Sequence, residues 1–360
     1  MRIMTILGTR PEIIRLSRVI PRLDEVADHV LVHTGQNNDP NLNDVFFHSL
    51  PVRQPNYRFE ARGSAARQWA TLFPACEDLL LRIKPDKLLI LGDTNSALCA
   101  LIAKRHGIAV YHMEAGNRCF DDRVPEEVNR RVVDHCSDVL LPYTERARAN
   151  LIREGIASNR IFVTGNPIWE VIRYKDEQIA QSNVVQRLGL KPKSYFLVTA
   201  HRAENVDVEG RLAAMLTAFD RLQREHRLPV IVSTHPRTRA RLGELSGIAV
   251  NSEVRFLEPF DFCDFVALER QAACVLTDSG TVQEECALLS VPNVTIRDVT
   301  ERPETMECGS NVVAGIEPDS VARGVRQALA SSRQITPPPE YRVEHVSHTV
   351  VNILLSRIPQ

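Results

Sequence analysis

The amino-acid sequence predicts an α/β protein of two doubly wound parallel sheets, each covered by helices on both faces. Three observations lead there. Short apolar runs alternate with longer amphipathic segments from end to end, the pattern of repeated strand–helix–strand units. The alternation restarts after Gly165-Asn166-Pro167. Finally, 360 residues, 44% of them hydrophobic, exceed one ordinary domain and supply apolar material for two cores.

In the first series, residues 4–7 read as a strand, followed by a helical pattern through Ile13, Leu16 and Ile20, then a strand over 29–33. Residues 87–91 precede a helical stretch over 96–105, and 109–113 are again strand-like. Residues 139–141 and 161–164 complete the set. The second series opens with a helix over 168–180, and its strands fall at 195–199, 229–233, 249–250 and 274–277, with helices between. Thr336-Pro337-Pro338-Pro339 is a stiff linker before a last amphipathic helix carrying Val346, Val350, Ile353 and Leu354. The expected domains are 1–168 and 169–340 with a hinge near 166–190, and 341–360 form the terminal helix.

Composition narrows the function classes. Forty-four Lys and Arg against 45 Asp and Glu leave a net charge of −1, so the field that nucleic acid or an anionic membrane requires is not expected. No apolar run approaches the roughly 18 residues of a spanning helix, and the first eight residues read as a strand rather than a signal peptide. Eight cysteines are dispersed at 76, 99, 119, 136, 263, 274, 286 and 308 without a Cys-x-x-Cys pair, which suggests reduced core thiols rather than a disulfide frame or a zinc site. The expected setting is the cytoplasm.

Ligands of open parallel sheets bind beyond the carboxyl ends of the strands, and two such sheets facing each other would line one interdomain cleft. The unusual residues do fall in those loops. In Gly8-Thr9-Arg10-Pro11-Glu12, Pro11 suits a first helical turn and sets Arg10 beside a helix N-terminus, a place for phosphate or carboxylate. Asp93 and Glu114 follow two successive strands, and Glu126 lies in Pro125-Glu126-Glu127, where a loop becomes a helix. Three acids in one crevice would raise one another's pKa and suit proton transfer; metal binding is the weaker choice. In the second half, His201-Arg202 and His235 leave strands, and Ser279-Gly280-Thr281 start a helix able to hold a diphosphate, with Glu285 placed to accept from a ribose. Each has a plainer reading as well: Arg10 on a solvated turn, Asp93 as a helix cap, the histidines as structural residues. No Gly-x-Gly-x-x-Gly follows the first strand, which argues against a nicotinamide cofactor. There is no P-loop and no nucleophile elbow. The residues describe a cleft enzyme for a phosphorylated, nucleotide-linked substrate.

Taken together, these segments resemble the non-hydrolysing UDP-N-acetylglucosamine 2-epimerases. The motifs are Gly8-Thr9-Arg10-Pro11-Glu12, Gly92-Asp93-Thr94, Glu114-Ala115-Gly116, Pro125-Glu126-Glu127-x-Asn129-Arg130, Thr164-Gly165-Asn166-Pro167, His201-Arg202-x-Glu204-Asn205, Asp278-Ser279-Gly280 with Gln283-Glu284-Glu285, and Thr300-Glu301-Arg302-Pro303-Glu304, in the family's order. The resemblance implies two facing Rossmann-like domains of glycosyltransferase-B type, a homodimer, and a C-terminal helix packed back on the first domain. It implies inversion at C2 of a UDP-N-acetylhexosamine without NAD or metal, by loss of the C2 proton and UDP to a 2-acetamidoglucal and re-addition of UDP. Asp93, Glu114 and Glu126 correspond to its acid–base carboxylates and His201 to its essential histidine. Arg10, Ser279, Gly280 and Thr281 would hold the diphosphate, Glu285 the ribose, and Phe265 the uracil, with Arg202, His235 and Arg302 completing the substrate contacts.

Some positions depart from the family pattern. Thr281 replaces the second Gly of Ser-Gly-Gly, and Ala203 replaces the second Arg of His-Arg-Arg. Gly35-Gln36-Asn37-Asn38-Asp39-Pro40 stands where many bacterial members carry Gln-His-Arg-Glu-Met for a second, activating UDP-GlcNAc, so that activation is not expected. The same departures look like the branch acting on UDP-2-acetamido-2,6-dideoxy-L-talose to give UDP-N-acetyl-L-fucosamine, and both substrates stay open. A hydrolysing epimerase, a B-type glycosyltransferase and a non-catalytic UDP-sugar sensor are the further alternatives.

Overall fold

A computed structural model describes residues 1–36, 50–208, 210–244, 250–331 and 335–358. Asn37–Pro40 of the departing segment and Ala249 of one expected strand lie outside the described residues. The chain forms two compact units, residues 1–173 with 340–360, and residues 174–339.

In the first unit six parallel strands run in the order β3-β2-β1-β4-β5-β6. They are β1 (Arg2–Leu7), β2 (Asp28–His33), β3 (Tyr57–Arg58), β4 (Lys87–Leu91), β5 (Ala109–Met113) and β6 (Val139–Leu141). Central strands of such a sheet are buried on both faces, so they read as continuous apolar runs. Leu88, Leu89, Ile90 and Val110 are completely buried, each stabilising the fold by about 1.5–3 kcal/mol. The helix Ala65–Ile83 covers one face with Leu72, Cys76, Leu79 and Leu80.

The long helix expected through Ile13 and Ile20 is instead two, Arg10–Leu16 and Val19–Val26. Pro21 has no N–H to donate to Ser17, so it is tolerated only in the first turn of a new helix. The strand expected at 161–164 is reduced to one bridge, Ile161 to Leu140. Helix Val346–Leu355 packs on Val19–Val26 within this unit. Its Ser347 amide donates to Glu170 (2.8 Å), Arg22 Nε donates to Ser347 Oγ (2.8 Å), and Lys87 Nζ bonds the carbonyls of Leu354 and Ser356 at its far end.

The second unit repeats the plan with the order β12-β11-β10-β7-β8-β9. Its strands are β7 (Phe196–Thr199), β8 (Val230–Ser233), β9 (Val254–Leu257), β10 (Cys274–Thr277), β11 (Asn293–Thr295) and β12 (Asn311–Val313). Phe196, Val198, Val232 and Leu276 form one core with Leu216, Phe219 and Leu222 of helix Arg211–His226 and Val321 and Val325 of helix Pro318–Ser331. The expected strand at 249–250 is displaced to β9, a half-buried edge strand. In each sheet the order reverses once, between β1 and β4 and between β7 and β10. Adjacent connections leave in opposite directions there, which opens a crevice beyond the strand ends. Among the described residues no helix is long and apolar enough to cross a membrane.

Candidate active site

In the first unit the exits of β1, β4 and β5 lie side by side, because β1 pairs with β4 and Leu91 pairs with Met113. Arg10 starts helix Arg10–Leu16 and is half-buried. Two residues on, buried Glu12 ties this loop to the next. It accepts from the amides of Gly8 (2.8 Å) and Thr9 (2.7 Å), from Thr9 Oγ1 (2.9 Å) and from Thr94 Oγ1 (2.9 Å). Burial raises this carboxyl more than those bonds lower it, and it is pushed up to about 7.

Asp93 is held by Arg130, through Nε (3.1 Å) and Nη2 (2.5 Å), while Asn129 Nδ2 donates to the Asp93 carbonyl (3.0 Å). Both partners come from helix Pro125–Cys136, which carries half-buried Glu126 in its first turn. Neighbouring Glu127 is spent on structure: it is buried, pairs with Arg130 (2.7 Å) and accepts from the amides of Cys119 and Phe120 (3.0 Å each).

Glu114 is buried at the end of β5, paired with Arg15 and receiving the Tyr143 hydroxyl (3.3 Å). Its φ is +67°, in the left-handed region that a side chain rarely occupies. Such strain persists where the surroundings over-determine it, and it concentrates at functional sites. The turn is anchored from below. His112, wholly buried, bridges Asp134 (2.8 Å) and the Gly92 carbonyl (2.8 Å), and Asp134 also accepts from the Gly116 amide (3.1 Å) and pairs with Arg118 (2.8 Å). Burial alone would raise Asp134, but His112 and Arg118 hold it below the usual carboxylate range.

Asp93 and Glu114 are therefore not bare acids. Each is answered by an arginine, and the carboxyl that is pushed up is Glu12.

In the second unit the exits of β7, β8 and β10 carry the corresponding residues. Asp278, wholly buried, organises them: its Oδ2 accepts from the amides of His201 and Arg202 (2.9 Å each) and from Asn205 Nδ2 (3.1 Å), and its Oδ1 lies 3.2 Å from His201 Nδ1. Burial opposes its ionisation, yet the His201 charge and these bonds bring Asp278 far below the usual range. His235, at the exit of β8, has its ring centroid 5.5 Å from that of His201.

Ser279 stands at the N-cap position of helix Gly280–Leu289, and half-buried Thr281 lies in its first turn. A Cβ at Gly280 would stand 2.8 Å from Glu301 Oε1, so a side chain there would make Glu301 shift. Arg302, buried, pairs with Glu284, and Arg202 lies 3.6 Å from Glu301. Phe265 is half-buried on helix Phe262–Gln271, and Glu285 is buried in the helix that packs on it.

The strand ends thus bring Asp93, Glu114, Glu126 and Arg10 together in one unit and His201, Arg202, His235, Ser279, Gly280, Thr281 and Arg302 in the other. The UDP-N-acetylglucosamine 2-epimerase family profile matches residues 22–355. The chain belongs to that family. It is thereby an isomerase. The UDP-N-acetylglucosamine 2-epimerase of Methanocaldococcus jannaschii is 39% identical over 343 residues, 92% of this chain and 93% of that one. The structure of the Methanocaldococcus jannaschii UDP-GlcNAc 2-epimerase in complex with UDP-GlcNAc and UDP superposes with a TM-score of 0.92 at 37% identity, covering 98% of this chain and 99% of the other. Its two-domain architecture is that of the two units described above. The UDP-2,3-diacetamido-2,3-dideoxy-D-glucuronate 2-epimerase of Pseudomonas aeruginosa is 35% identical over 339 residues, 93% of this chain and 94% of that one.

Arg15, Tyr143, Glu12 and Asp278 were not singled out in the sequence as parts of the machinery. Arg15 had a signal, a cation within the apolar stretch Ile13-Ile14-Arg15-Leu16, where a buried charge must find a partner. Among the described residues no group of three or more His, Cys, Asp or Glu is arranged to hold a metal ion.

Proposed function

We propose that this protein inverts C2 of a UDP-N-acetylhexosamine, interconverting UDP-GlcNAc and UDP-ManNAc. The observation that carries the reading is the position of the family's motif residues, at the strand ends beside the order reversal of each sheet. In the proposed sequence a carboxylate of Asp93, Glu114 or Glu126 takes the C2 proton while the anomeric C–O bond breaks and its electrons leave with UDP. The product is 2-acetamidoglucal. Protonation of C2 from the opposite face and re-addition of UDP at C1 complete the inversion. Hydrogen is lost and regained at one carbon, so the cycle is redox-neutral.

A C2 proton is weakly acidic, and stabilising the departing diphosphate is what makes its removal feasible. Arg10 and the amides and hydroxyls of Ser279, Gly280 and Thr281 suit that role. Glu285 takes the ribose, Phe265 the uracil, and Arg202, His235 and Arg302 the remaining polar groups. Asp278 orients His201, a partner for the substrate during proton transfer. In this reading the first unit supplies the carboxylates and Arg10, and the second supplies His201 with the remaining UDP contacts.

A second reading keeps the chemistry and changes the sugar to UDP-2-acetamido-2,6-dideoxy-L-talose. Thr281 and Ala203, the departures from the family motifs, favour it, and the Pseudomonas aeruginosa relative is named for yet another C2 epimerisation. Proton NMR in D₂O decides. Deuterium entering C2 as a second UDP-hexosamine appears establishes epimerisation of UDP-GlcNAc. Exchange with the 6-deoxy-L-talo sugar alone selects the second reading, free UDP with free sugar indicates hydrolysis, and silence with both sugars refutes the proposal.

The protein acts in the cytoplasm as a homodimer in this reading. The adjoining helices Cys99–Arg105 and Pro125–Cys136 support the dimer, because they leave Leu101, Val128 and Val132 exposed.

A further inference from the structure

Glu269 is wholly buried in helix Phe262–Gln271, and neither of its carboxyl oxygens meets a hydrogen-bond donor. An isolated carboxylate in such a place is costly. Its neighbour is another acid: buried Glu285, on the helix packed against it, brings its carboxyl within hydrogen-bonding reach of Glu269. Two carboxylates are both acceptors, so this contact needs a proton between them. Burial first, then the charge of Glu285, hold the Glu269 carboxyl well above the usual range.

Among the described residues, polar groups around Glu269 are engaged elsewhere. Tyr195 donates its hydroxyl to the Leu268 carbonyl (2.5 Å), and Lys193 Nζ donates to the carbonyls of Arg270 and Ala272. The thiols of Cys274 and Cys286 are buried and pushed up by that burial. Asp264 and Arg270, on the same helix as Glu269, pair with Arg187 and Asp176.

We propose that Glu269 is a positioning residue for nucleotide recognition, holding one oxygen of Glu285 through a shared proton so that the other is presented to the ribose diol of UDP. This rests on the reading that Glu285 meets the ribose. With one proton the pair is a monoanion and Glu285 remains an acceptor. Removing that proton at alkaline pH sets two charges against each other in a buried place and drives Glu285 from its position.

The experiment is calorimetric titration of UDP and 2′-deoxy-UDP across the neutral to alkaline range. Wild type is expected to prefer UDP by about tenfold or more at neutral pH, the worth of a charge-assisted hydrogen bond, and to lose that preference as pH rises. Glu269→Gln donates an N–H from the same place and cannot ionise, so it keeps the preference and abolishes its alkaline loss. Glu269→Leu removes the donor and lowers the preference about tenfold at every pH. An alkaline loss persisting in Glu269→Gln, or an unchanged preference in Glu269→Leu, overturns the proposal. An intact preference in Glu285→Ala, which leaves no acceptor, instead refutes the ribose reading. The pair itself is tested separately by infrared difference spectra of wild type against Glu269→Gln at neutral pH. A protonated-carboxyl band in the wild type supports the shared proton, and no such band overturns it.

Discussion

Replacing Glu12 by glutamine removes a buried carboxyl whose ionisation the fold opposes. Its proton is held up to about 7, against an ordinary glutamate value of about 4.3. A carboxyl raised in this way contributes stability that is fully present below its unfolded pKa and is lost as pH rises through the folded value. From pH 5.5 to 8.5 an unfolded Glu12 would be almost entirely ionised throughout, whereas the folded one gives up its proton mid-way. Integrating over that window, wild type loses about 2 kcal/mol from this group alone. The amide of Glu12→Gln cannot titrate. Its oxygen can take the Gly8 and Thr9 donors, and the Thr94 hydroxyl can turn to accept from its nitrogen. Both tryptophans, Trp69 and Trp169, lie in the first unit, so tryptophan fluorescence in urea reports that unit's unfolding. The variant should gain about 2 kcal/mol on wild type between the two pH values. Parallel stability curves for the two proteins would refute the reasoning.

Further outcomes are expected. Asp93→Asn keeps UDP affinity within about threefold while C2 exchange falls at least about 100-fold, as loss of a general acid–base group requires; calorimetry and NMR separate the two, and equal losses would give Asp93 a binding role. Gly280→Ala drives a methyl against Glu301, and overpacking of about 1–3 kcal/mol predicts UDP binding weakened about tenfold or more by calorimetry. Unchanged affinity would detach that helix start from the diphosphate. Val132→Glu, on the exposed face with Val128, should convert a dimer to monomer in sedimentation velocity, and a variant that stays dimeric places the interface elsewhere.

Much of the fold was legible because central parallel strands have no polar face to hide the pattern. β4, β5 and β10 coincide with the apolar runs at 87–91, 109–113 and 274–277, and buried edge strand β6 with the run at 139–141. Other short or half-buried strands failed for the opposite reason. Tyr57–Arg58, Asn293–Thr295 and Asn311–Val313 are two or three residues long with polar members, and Val254-Arg255-Phe256-Leu257 is only half-buried, so its neighbourhood was read instead. Asp93, Glu114, His201 and His235 announced themselves by standing in the loops after strands. Their partners did not. Arg15 reaches Glu114 across 99 positions of sequence, and the Glu269–Glu285 contact depends on how two helices pack, which no local pattern encodes.

The first unit is discontinuous, and this orders its assembly. Everything from Tyr174 to Pro339 is synthesised between the bulk of that unit and the segment that finishes it. Glu170 waits for Ser347, the Asn166 amide for the Glu340 carbonyl and Lys87 for the end of the last helix. The second unit is continuous and can close as it leaves the ribosome. The unit that carries Asp93, Glu114 and Glu126 is thus completed last, after the unit that carries His201 and Ser279 has its whole sequence.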